Sequence, residues 1–96
     1  MPNLVLIHIT TGDKHTVTVR CALSVPRGKG QKVRPILVVV WGNLAGEFAF
    51  DVERNALFSF GPSNGIRRMP MAWKAEDIQE AGRIWHEKTE KRNNMR

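Results

Sequence analysis

Four cations, Arg27, Lys29, Lys32 and Arg34, fall within one short stretch that also holds Pro26, Gly28 and Gly30, and no aspartate or glutamate occurs from Lys14 to Gly46. Guanidinium and ammonium groups on an open, glycine-containing loop neutralise phosphates. Such contacts carry affinity without sequence information and weaken steeply with salt. The competing explanation is a solvated hairpin tip that only confers solubility. A nucleotide or coenzyme cradle is excluded, because the glycines lead into Pro35 and the β-branched run Ile36–Val40 rather than into a helix N-terminus, and no Gly-Lys-Ser/Thr ending is present.

The other chemistry-bearing residues are scattered. His8, His15 and His86 have no second imidazole at i+4 and no thiolate at metal spacing, so neither a metal site nor a cofactor is expected. Cys21 stands on the apolar side of an alternating run, where a thiol acts as a small hydrophobe. Ser24, Ser59 and Ser63 belong to no nucleophile elbow. Asp51 and Glu53 are spaced as two carboxylates on one strand face, a pattern read here as outward-facing solubility rather than acid–base work. Phe48-Ala49-Phe50 alternates like a base-stacking sheet, but Glu47 and Asp51 break that pattern, and the phenylalanines are assigned to the core. No catalytic residue is assigned.

Positioning falls to a chain of 96 residues, enough for a single core, with formal charge +6 and pI about 10.3. That balance favours nucleic acid, a nucleic-acid-processing complex or an acidic protein as partner, and gives no reason to expect a small-molecule substrate. One cysteine, no leader-like opening and no apolar run approaching the roughly 20 residues of a membrane helix predict a cytoplasmic protein that does not engage membranes.

The elements read as α+β in one domain spanning 1–96: an antiparallel, meander-like sheet of four or five strands in 1–60, a connecting loop over 61–72, and one amphipathic helix over 73–92 packed on the sheet. Leu4–Ile9 and Ile36–Trp41 are apolar on both faces. From His15 to Val25 alternation places Val17, Val19, Cys21, Leu23 and Val25 inward. Phe48, Phe50 and Val52 alternate with Glu47, Ala49 and Asp51, and Leu57–Phe60 follows a turn at 53–55. Short connections favour antiparallel neighbours. In the tail, Ala75, Ile78, Ala81, Gly82, Trp85 and Thr89 form a stripe at helical spacing, with Ile84 off it. Acids lead and bases close that segment, complementing the helix dipole.

A second candidate surface is the stretch 61–73. Arg67 and Arg68 add to the cationic set, whereas Ile66, Met69, Pro70, Met71 and Trp73 resemble interface anchors more than loop residues. The alternative is that Met69, Met71 and Trp73 tuck under the sheet.

The composition therefore predicts a non-enzymatic basic binding protein that engages nucleic acid or nucleic-acid-processing machinery through Arg27, Lys29, Lys32, Arg34, Arg67 and Arg68. One alternative is a phage-type or mobile-element accessory chain that docks on a larger host enzyme through Ile66, Met69, Pro70, Met71 and Trp73. Another is a small enzyme whose site forms in space from residues such as His8, Asp51 and Arg34.

Overall fold

Thr10, Thr11 and Gly12 turn the chain after its first strand because Gly12 takes a left-handed φ of 78° and the His8 side chain gathers the turn amides. In the computed structural model, which describes residues 2–26, 28, 30, 33–42, 47–60 and 68–94, this turn joins β1 (Asn3–His8) to β2 (Lys14–Val25). β3 (Arg34–Val40), β4 (Glu47–Asp51) and β5 (Ala56–Phe60) follow, each antiparallel to its predecessor. The chain then forms β6 (Arg68–Met71), β7 (Trp73–Ala75) and α1 (Ile78–Asn94).

The sheet order is β6-β5-β4-β3-β2-β1-β7, so its two outermost segments are consecutive in sequence and separated only by Ala72. Met71 pairs with Leu57 of β5, whereas Trp73 pairs with His8 of β1. One interrupted strand thus changes neighbours midway and returns the sheet on itself, giving a nearly closed six-stranded antiparallel barrel. Closure removes most of the exposed edges that an open sheet would leave.

Three expectations are corrected here. The sheet has more than the four or five strands predicted, residues 68–71 of the supposed loop are a strand, and the helix begins at Ile78 rather than at residue 73. Trp73 and Ala75 are drawn into the sheet because β1 offers an unpaired edge. Hydrogen bonds from Ile9 N to Ala72 O (2.9 Å) and from Glu76 N to Val5 O (3.0 Å) extend that pairing at both ends. The helix then starts where Asp77 Oδ1 accepts the amides of Gln79 and Glu80 at 3.0 and 3.4 Å.

Where the closing strand leaves β5, the Asn55 side chain replaces the missing ladder contact. Asn55 holds φ 52° in the β4–β5 turn, and its Oδ1 accepts the Ala75 amide at 2.7 Å. Asparagine suits this place because it tolerates the left-handed region and supplies an acceptor.

The core runs along the barrel through Leu4, Leu6, Val17, Val39, Phe50 and Leu57, all at most 2% exposed. In β2 the register shifts between Val19 and Cys21, the signature of a bulge at Arg20. One extra residue reverses the facing of everything after it. Ala22 is therefore buried, while Leu23 is 37% exposed and Cys21 is only half-buried, contrary to the unbroken alternation predicted for Cys21, Leu23 and Val25.

Beyond the bulge, α1 lies against β2 and β3 and adds Ala81 and Ile84 to the same buried cluster. Ala81 and Ile84 are buried, with Trp85 half-buried beside them and Ile78 left exposed, so the predicted stripe is rotated and Ile84 belongs to the core. Trp85 Nε1 donates to the Leu23 carbonyl at 2.9 Å, capping β2 where β1 no longer covers it. Among the described residues no helix is long and apolar enough to cross a membrane.

Candidate functional site

Strand pairing carries Arg34, at the start of β3, to the end of β4. Its Nη2 donates to Asp51 Oδ2 at 2.5 Å, with side-chain exposures of 14% for Arg34 and 1% for Asp51. The second carboxylate oxygen accepts the Arg54 amide at 3.1 Å. Burial pushes the Asp51 carboxyl upward, but the Arg34 hydrogen bond, the Arg54 amide and both positive charges outweigh it and hold the carboxyl below its ordinary value. Asp51 was expected outside with the other strand acids. It is instead fully buried, because a partner cation and a backbone donor offset its desolvation.

Arg34 is therefore turned into the fold and set apart from the cations it adjoins in sequence. Arg27, Lys29 and Lys32, with Ile66 and Arg67, lie outside the described residues. Arg68, Met69 and Pro70 contribute the backbone of β6. Met71 and Trp73 are half-buried and pack against the core, so barrel closure accounts for both. The three residues suggested for a scattered enzyme site are not brought together: Arg34 and Asp51 meet at the α1 end of the barrel, whereas His8 lies at the opposite mouth. Among the described residues no group of three or more histidines, cysteines and carboxylates could hold a metal ion.

Charge is distributed unevenly over this frame. Lys14, Arg20, Arg27, Lys29, Lys32 and Arg34 face no acid between Lys14 and Gly46, so this stretch alone matches the whole formal charge of +6. Elsewhere cations and acids balance and are partly paired. Arg83 bonds both Glu80 and Glu87 along the helix, and Asp77 is engaged at the helix start. The excess sits on the β2–β3 hairpin. Its last paired residues are Val25 and Arg34, whereas β1 pairs with β2 only as far as Thr18.

The opposite end of the barrel carries a feature that residue spacing did not reveal. His15 stacks on Trp41 with centroids 4.4 Å apart and planes 14° apart. Trp41 meets Trp73 edge-on at 4.9 Å and Phe48 at 5.9 Å, and Trp73 meets His8 edge-on at 4.9 Å. Alternation explains the convergence: His8 continues the inward row of Leu4 and Leu6, His15 lies opposite Leu6, and Trp41 follows Leu37 and Val39. His8 Nδ1 accepts the Thr10 and Thr11 amides at 3.2 Å each, which places its proton on Nε2. His15 Nε2 is buried and has no hydrogen-bond partner. The signal available in sequence was parity: each of these rings occupies an inward position at a strand end.

Comparison of the chain with models of protein families, with curated proteins and with solved structures gives no match.

Proposed function

We propose that this protein is a non-enzymatic basic binding module that engages nucleic acid, or machinery assembled on it, through the tip of the β2–β3 hairpin. The observation that carries the reading is that six cations and no acid occur in sequence between Lys14 and Gly46, on a hairpin that outruns β1; of these, Lys14 pairs with Glu76 and Arg34 with Asp51. Clustered cations with no intervening acid favour a polyanion over a mixed-charge protein surface. Arg27, Lys29 and Lys32 supply the phosphate contacts, Arg20 extends the set along β2, and Arg34 anchors the base of the hairpin through Asp51. Arg67 and Arg68 supply secondary contacts.

Pull-down from lysate with and without nuclease, at low and high salt, tests this reading. Recovery of nucleic acid that is lost with salt, and lost when Arg27, Lys29 and Lys32 are changed to Gln, is the expected result. A defined protein retained through nuclease and salt by the same variant contradicts it.

A further inference from the structure

Independently of that reading, we infer that the barrel mouth carries an acid-responsive latch, in which protonation of the His8 ring releases the turn that joins β1 to β2. His8 Nδ1 accepts the Thr10 and Thr11 amides at 3.2 Å each, the part that a side-chain oxygen plays in an Asx-turn. A neutral imidazole offers one acceptor nitrogen, and an imidazolium offers none. Both amides would then face an N–H donor, so the protonated ring has to leave them. Solvent reaches the site, because His8 is only half-buried and residues 9–14 are exposed.

The turn is also a junction with the closing strand. Ile9 N donates to Ala72 O at 2.9 Å, where that strand passes from β5 to β1, and the His8 ring meets Trp73, the first residue of β7, edge-on at 4.9 Å. The other ties of the turn are Gly12 N to His8 O at 2.9 Å, His8 N to Asp13 O at 2.8 Å and Asp13 N to Thr11 Oγ1 at 3.2 Å, none of which passes through the ring. Release of the ring therefore loosens one end of the closing strand and leaves the β1–β2 ladder in place. The turn sets Asp13 opposite His8 in the ladder, β2 brings His15 on the same inward side, and β7 brings Trp73. Lys14 and Lys74 both pair with Ile7 and so belong to the outer face, as does Glu76, the ion-pair partner of Lys14.

The test is an NMR titration of the full chain from about pH 8 to about pH 5, the span in which imidazoles ordinarily change charge, following the His8 Cε1–H signal together with the Thr10 and Thr11 amides. The expected result is that both amide signals move with the ring signal. Their protection against exchange, corrected for the intrinsic effect of pH, should fall about fivefold, the change for one hydrogen bond lost at each amide, while Leu4 and Phe50 keep theirs. His8→Asn retains a side-chain acceptor without a titrating ring and should remove the response, whereas Asp13→Asn should preserve it. Thr10 and Thr11 amides that stay unchanged while the His8 signal titrates overturn the latch. A response that persists in His8→Asn or disappears in Asp13→Asn overturns it as well. The titration of the unsubstituted chain decides the matter even if a variant fails to fold.

Discussion

The Arg34 guanidinium and the Asp51 carboxylate meet at 2.5 Å beneath the base of the cationic hairpin, where Asp51 has almost no access to water. This contact links the fold's one fully buried acid, among the described residues, to the strand that carries the basic tip. It also explains why a cation adjoining Lys32 and Val33 in sequence is absent from the exposed set.

Acid should therefore weaken the fold through Asp51. Its folded carboxyl titrates below the unfolded one, so the unfolded chain takes up the proton first. The stabilisation is complete above the ordinary carboxylate value of about 3.9 and is lost as pH falls through the lower folded value. Urea unfolding between pH 6 and 2 should show this loss, and Asp51→Asn should flatten that part of the profile. Asp51→Ala should cost about 3 kcal/mol at neutral pH, the low end for breaking a buried pair, because Arg34 retains some contact with solvent.

Asn55 should be sensitive in a graded way. Asn55→Gly preserves the left-handed backbone but deprives the Ala75 amide of its acceptor, at a cost of about 1–2 kcal/mol. Asn55→Ala adds backbone strain of roughly 1 kcal/mol. Chemical denaturation should rank the proteins as unsubstituted, then Gly, then Ala, and an equal loss in both variants would count against the strain component.

The helix should loosen before the barrel. Trp85→Phe keeps most of the packing and removes the bond to the Leu23 carbonyl, costing about 1 kcal/mol. Ile84→Ala, at a position 1% exposed, should cost about 2–4 kcal/mol. Hydrogen exchange should show α1 amides exposed in both variants while Leu4, Leu37 and Phe50 remain protected. Simultaneous loss of protection throughout would mean that helix and barrel unfold as one unit.

Strands β1 to β5 were legible because their apolar residues either run on both faces, as in Leu4–Ile9 and Ile36–Trp41, or recur at period two, and because Gly12, Gly28, Gly30, Gly42 and Asn55 mark the connections between them. The closing strand carried the same signal in Met69, Met71, Trp73 and Ala75, but Pro70 and the neighbouring turn residues made the stretch look like a loop. The bulge at Arg20 left no mark in the alternation, since Cys21, Leu23 and Val25 continued the apolar pattern on what became the outer face. For the candidate site, the cation cluster is written in consecutive residues and was visible at once. The Arg34–Asp51 pair and the His15–Trp41 stack depend on strand register, which links residues 17 and 26 positions apart and cannot be read from local spacing.

The most direct test of the cationic hairpin is the salt dependence of single-strand binding, measured for the unsubstituted protein and for a variant with Arg27, Lys29 and Lys32 all changed to Gln. Each phosphate contact on a single strand contributes about 0.7 to the slope of log K against log salt, so loss of three should flatten the slope by about 2 and weaken binding at low salt. An unchanged slope and affinity in the substituted protein would contradict the assignment of this hairpin as the binding element.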